Sequence, residues 1–126
     1  MTDNRTATFA IGTMIILLGG VAITLFGRST ASPLDTFAQC LGEKKAVFYG
    51  AFWCPHCQSQ KALFGKSKQY LPYVECSTPD GKAQTAICKE KGVKSYPTWV
   101  FADDSQLTGE VKLPQLAEKT GCVLPQ

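Results

Sequence analysis

Apolar and polar positions divide the chain into an uncharged front segment and a patterned remainder. From Thr6 to Gly27, TATFAIGTMIILLGGVAITLFG carries no charge. As a helix this run extends about 33 Å, enough for a hydrocarbon core of roughly 30 Å. A transmembrane anchor over 6–27 is expected, behind a cytoplasmic stretch, 1–5, and ahead of a linker, 28–33. A cleaved signal peptide competes with it, since Ser29 and Ala31 make a small-residue cleavage site, but signal cores are usually shorter, about 7 to 15 residues. Arg5 and Arg28 flank the span almost symmetrically and leave its orientation open by charge.

Past the linker the pattern alternates between elements. Ser32, Pro33 and Asp35 form a helix start, and LDTFAQCLG is expected as a short amphipathic helix closed by Gly42. KAVFYGAF is apolar, β-branched and aromatic, as a strand buried on both faces should be. Pro55 suits the first turn of a helix that continues through QSQKALFGKSKQY, with a kink at Gly65, until Leu71 and Pro72 stop it. YVECS reads as a second strand. TPDGKAQTAICKEKG predicts a helix from about Asp80 to Gly92. PTWVFA and LTGEVK, separated by DDSQ, read as an antiparallel hairpin, and LPQLAEKTG as a last helix capped by Gly121. Strands alternating with helices before a final hairpin predict an α/β domain over 34–122: a small mixed sheet with helices on both faces.

Composition narrows the function. The 13 Lys and Arg against 10 Asp and Glu give a net charge of +3. No basic run is interleaved with aromatics, so no nucleic-acid partner is expected. Six cysteines, Cys40, Cys54, Cys57, Cys76, Cys88 and Cys122, are many for a reducing cytosol and point to an oxidising compartment. That sets the C-terminal domain on the oxidising side of the membrane.

The chemistry gathers at Cys54-Pro55-His56-Cys57, where the first strand meets the next helix. In open α/β sheets ligands collect at such strand ends. Cys54 ahead of the first turn meets unpaired N–H groups and the helix dipole, which favour its thiolate, and His56 adds a donor or a positive charge nearby. Three residues of separation let one turn bring both sulfurs into bonding distance. A stabilised thiolate stabilises the reduced form and makes the disulfide oxidising. A structural zinc site is the first competing reading; it needs a full tetrahedral ligand set, and here a single CxxC encloses the chain's one His. A purely structural disulfide is the second; it would close a tiny loop and stabilise little. No metal is expected. Ser95-Tyr96-Pro97-Thr98 adds a second feature: either a proline that only begins a strand, or a cis-proline loop facing the cysteines whose backbone pairs with an extended substrate. In the latter case Tyr96 faces the sulfurs, while Phe52 and Trp53 form an apolar rim rather than core.

With these motifs in place, the domain resembles the thioredoxin superfamily. FAQCLGEKKAVFYGAFWCPHCQSQKALFG, YLPYVECSTPDGKAQTAIC and SYPTWVF are most similar to the thioredoxin-like domain fused to bacterial, cyanobacterial and plastid homologues of vitamin K epoxide reductase. The Pro-His dipeptide is also similar to that of DsbA oxidants. The resemblance implies that Cys54 is the exposed attacking cysteine, Cys57 the resolving one and Pro97 the cis-proline. It also implies that Cys76 and Cys88 form a second pair, structural or redox-active. The resemblance gives Cys40 and Cys122 no role to rely on; an even cysteine count leaves a bridge between them open, beside buried thiols or a contact to another chain. The family's domain takes electrons from folding proteins and passes them to a membrane domain that reduces a quinone. With a single span in this sequence, a separate partner of that type is expected, carrying the quinone, and no cofactor is expected in this chain. Thioredoxin itself carries a buried acid where this chain has Phe48, which argues against a thioredoxin-like reductant.

The expectation is a membrane-anchored thiol-disulfide oxidoreductase facing the periplasm or thylakoid lumen. Its partners would be proteins with cysteine thiols, a vitamin K epoxide reductase-like oxidase and membrane lipid. Two alternatives stand beside it. One is an anchored reductant or isomerase, for example for cytochrome maturation; the other is a non-enzymatic metal chaperone or thiol adaptor.

Overall fold

Four residues, Val-Phe-Tyr-Gly, form β1 (Val47–Gly50), the strand on which the other elements register. The computed structural model describes residues 30–126. The expected anchor at 6–27, the stretch 1–5 and the start of the linker lie outside the described residues. β1 pairs in parallel with β2 (Tyr73–Glu75) and antiparallel with β3 (Thr98–Val100). β3 in turn pairs antiparallel with β4 (Gln106–Thr108), giving a mixed sheet ordered β2-β1-β3-β4. Phe48 stands opposite Tyr73 on one side and Trp99 on the other.

Because side chains alternate across a sheet, β1 feeds two cores. Phe48 stacks on Trp99 at 5.2 Å. That layer continues through Phe64 and Phe37 to α1 (Asp35–Glu43), α2 (Pro55–Ala62) and Leu116 of α4 (Leu113–Thr120). Full burial of Phe37, Phe48 and Phe64 contributes roughly 1.5–3 kcal/mol each. Tyr49 and Val100 face the other way and pack with Cys76, Val93 and Cys88 of α3 (Ala86–Glu90).

Several boundaries differ from the sequence reading. Gly42 lies inside α1; the chain turns at Lys45, whose φ of 57° lets Ala46 N–H reach Leu41 O at 2.9 Å. Leu34, without a side-chain cap, precedes α1, and Asp35 instead accepts from Ser32 N–H (2.8 Å) and Ser67 Oγ (2.7 Å). The kink at Gly65 is a change of helix type: α2 stops at Ala62 and a 3-10 helix, Gly65–Tyr70, follows. The largest difference is at 78–85, where no helix forms. Gly81 takes φ +72° and Asp80 accepts from Lys82 N–H and the Thr78 hydroxyl. Thr78 N–H bonds Ala83 O, and Ser77 bridges Gln84. These local bonds satisfy the backbone in a loop, so α3 begins only at Ala86. β4 ends at Thr108 rather than reaching Lys112, since Gly109 turns at φ +91°. Gly121 does cap α4, at φ +74°.

Candidate functional site

The site lies where β1 hands over to α2. Cys54 is the N-cap of α2, in extended backbone, and its Sγ accepts the N–H of Cys57 at 3.3 Å. Pro55 fills the first helical position, where a missing N–H costs nothing. Cys54 and Cys57 are free thiols, so the structure describes the dithiol form. Cys54 was expected to be exposed, yet it is 4% exposed against 0% for Cys57. It packs in the main core and keeps only a small exposed remnant. His56 is exposed, and its Nδ1 pairs with Glu110 Oε1 at 2.8 Å, so its hydrogen bond goes to a carboxylate and not to the Cys54 sulfur.

Around these sulfurs the other candidates divide. The Tyr96–Pro97 bond is cis, and Tyr96 packs edge-on against Trp53 at 6.0 Å. Pro97 itself is buried, and of the loop's backbone its carbonyl is already taken, accepting Gly109 N–H at 2.8 Å. Phe52 and Trp53 are 48% and 53% exposed, a rim rather than core, and Trp53 Nε1 donates to Ser77 Oγ at 2.9 Å. The remaining cysteines lie apart from the CxxC. Cys76 is joined to Cys88, bridging β2's exit to α3, and Cys40 to Cys122, bridging α1 to the segment after α4. Among the described residues no group of three or more His, Cys, Asp or Glu is placed to hold a metal.

Comparison with known proteins decides the family. The thioredoxin family model matches residues 33–120, more than two thirds of the chain. The chain belongs to the thioredoxin family. Thiol-disulfide oxidoreductase LTO1 of Arabidopsis thaliana is 43% identical over 104 residues, covering 78% of this chain and 27% of that protein. This chain therefore spans about a quarter of that relative's length. Protein disulfide isomerase-like 5-1 of Oryza sativa subsp. japonica is 23% identical over 128 residues, covering 94% of this chain and 84% of that protein.

In this thioredoxin-family site the Cys57 thiol is held in its neutral form. Burial, then the hydrogen bond with the Cys54 side chain, pushes Cys57 from its ordinary 9.0 up to about 12; the Ala51 backbone and the Lys61 charge oppose that rise. Cys57 thus stays protonated at neutral pH, while Cys54 sits at the donor-rich helix start. A pH dependence follows. Between about 9 and 12 the folded dithiol holds a proton that the unfolded chain has released, so its stability is full below 9 and falls as pH rises through that window. The disulfide form has no such thiol. Melting temperatures of both forms at pH 7 and pH 10 should therefore diverge, with the dithiol form losing more; an unchanged gap would contradict this.

Three polar residues that the sequence reading passed over build the thioredoxin-family site's frame. Glu75 Oε1 accepts from Phe52 N–H (3.2 Å) and Ser77 N–H (2.9 Å), and its Oε2 from Tyr73 OH (2.7 Å), tying the rim to β2. Gln60, fully buried, bonds Val111 in both directions: Nε2 to O at 3.0 Å and N–H to Oε1 at 2.6 Å. That clamp fixes the 110–111 segment against α2 and holds Glu110 at His56. Helical spacing carried a signal for Gln60, which shares the buried face of Cys57 three residues earlier. Glu75 and Glu110 had none, because only the fold brings them to the cysteines.

Proposed function

We propose that this chain is a membrane-anchored thiol-disulfide oxidoreductase that oxidises substrate thiols. One observation carries the reading: two free thiols one turn apart at the start of α2, one capping the helix and the other buried behind it. In the disulfide form, a substrate thiolate attacks Cys54 Sγ; the Cys54–Cys57 bond breaks and Cys57 leaves with the electron pair, taking up a proton. A second substrate thiolate then attacks the substrate sulfur of the mixed disulfide, and Cys54 leaves as thiolate. Two electrons pass from the substrate's two thiols to the enzyme. The substrate segment crosses the Trp53–Tyr96 rim and pairs with backbone ahead of cis-Pro97.

Two bonded cysteine pairs elsewhere in the domain fit an oxidising compartment, periplasm or thylakoid lumen, with the 6–27 span as the anchor in lipid. A quinone-linked membrane oxidase of the vitamin K epoxide reductase type would reoxidise the pair. The test is capture. With Cys57→Ala, the bond that Cys54 forms on attacking an oxidase's disulfide lacks the thiol that would release it, and a helical membrane oxidase should accumulate on Cys54. Trapping only a thiol-donating membrane transporter would reverse the direction of flow.

The rice relative named protein disulfide isomerase-like supports a second reading, an isomerase or reductant. The reduction potential separates them: a value toward ~-120 mV marks the oxidant, one near ~-270 mV the reductant. A metal chaperone or thiol adaptor would instead leave disulfide formation in secreted proteins intact when Cys54 is replaced.

A further inference from the structure

Cys57 must carry negative charge whenever a bond to its sulfur forms or breaks, and its surroundings resist that charge. The charged and titratable groups acting on it come from two elements. Cys54 and Lys61 belong to its own helix segment; Tyr73 and, through Tyr73, Glu75 belong to β2. Cys57 Sγ and Tyr73 Cε2 lie 3.0 and 3.1 Å from one point, the place a Cβ on Gly50 would take, so sulfur and ring edge share one small space. Lys61 follows Cys57 by one helical turn, and its Nζ sits 3.5 Å from the centroid of the same ring.

The anionic neighbour is already committed. Glu75 accepts from Tyr73 OH and two backbone N–H groups. The phenol, pushed up by burial and by Glu75, stays a neutral donor. Among the described residues, Lys61 is a cation whose charge favours the Cys57 thiolate.

We propose that Lys61, held over the Tyr73 ring, is a positioning residue for the Cys57 step, its ammonium stabilising that sulfur's thiolate as it attacks or departs. The inference rests on the dithiol exchange described above.

The test uses the full chain, reduced and solubilised in detergent, mixed with 5,5′-dithiobis(2-nitrobenzoate) in stopped flow. In the first phase the Cys54 thiolate attacks the reagent's disulfide, one thionitrobenzoate leaves with the electron pair, and a mixed disulfide remains on Cys54. In the second phase Cys57 gives its proton to solvent and its thiolate attacks Cys54 Sγ. The second thionitrobenzoate leaves, and the Cys54–Cys57 bond forms; the dithiol has lost the two electrons the reagent gained. Lys61→Met should leave the first phase within about twofold and slow the second about tenfold, the order expected when a unit charge is lost near a partly buried sulfur. Its second-phase pH profile should move to higher pH, and Lys61→Arg, which keeps the charge, should recover most of the rate. A second phase unchanged in Lys61→Met overturns the inference. So does equal slowing of both phases, or Arg failing as Met does, because either marks a packing role. Should the wild-type chain release no second equivalent, the dithiol reading itself falls.

Discussion

Replacing Cys54 with Ser is expected to abolish thiol-disulfide exchange while leaving the domain folded. A serine hydroxyl at the N-cap accepts the Cys57 N–H much as Sγ does, so the cap survives and only the nucleophile is lost. Cys54→Ala, by contrast, also removes the cap and should cost about 1 kcal/mol of stability. No other sulfur can take over. Cys57 is fully buried and held up to about 12, and the other four cysteines are bonded in pairs, Cys76 and Cys88 with no exposed surface. The expected loss is on the order of a thousandfold or more in oxidation of a reduced two-cysteine peptide, since nothing else can form the covalent intermediate. Unchanged circular dichroism and melting temperature in Cys54→Ser would tie that loss to chemistry. Retention of more than a small fraction of activity would remove Cys54 from the reaction.

What the sequence made legible follows the range of the forces involved. The apolar run around Phe48 could only be a central strand, and Gly121 after LPQLAEKT could hardly be anything but a helix cap, because each is decided by its own residues. The CxxC was legible for the same reason: its chemistry needs only one turn of helix. The 78–85 segment misled because Lys82, Ala83 and Gln84 are good helix formers, whereas Thr78, Asp80 and Gly81 close a loop through side-chain bonds and a positive φ. Glu75 and Glu110 were illegible because each meets its partner across the fold. Glu110 lies 54 positions from His56, and Glu75 lies 23 from Phe52. Exposure of Cys54 was likewise not a property of its motif. It depends on the tertiary packing that draws Cys54 into the main core.

The Cys40–Cys122 bridge should matter more to stability than the Cys76–Cys88 bridge, although neither is needed for the exchange chemistry proposed. The first closes a sequence separation of 82, the second one of 12. In the chain-entropy account the unfolded state loses more freedom to the longer loop, about 4.5 kcal/mol against about 3 kcal/mol. Position works in the same direction. Cys122 follows the left-handed cap of α4, and the bridge fastens that end to α1, so Leu116 of α4 and Phe37 and Leu41 of α1, all in the main core, lie on elements tied covalently. Cut, it leaves the terminal segment held only by packing and by bonds such as Cys122 N–H to Thr120 Oγ1. A Cys40→Ala, Cys122→Ala chain should therefore unfold at markedly lower urea, a loss of about 4 kcal/mol being a large share of a typical domain's 5–15 kcal/mol. The Cys76→Ala, Cys88→Ala chain should lose less, even though both of its sulfurs are more deeply buried. Denaturation midpoints compared with Cys54 and Cys57 kept reduced give the order, and the reverse order would mean that packing around Cys76 and Cys88, not loop length, sets what each bridge contributes.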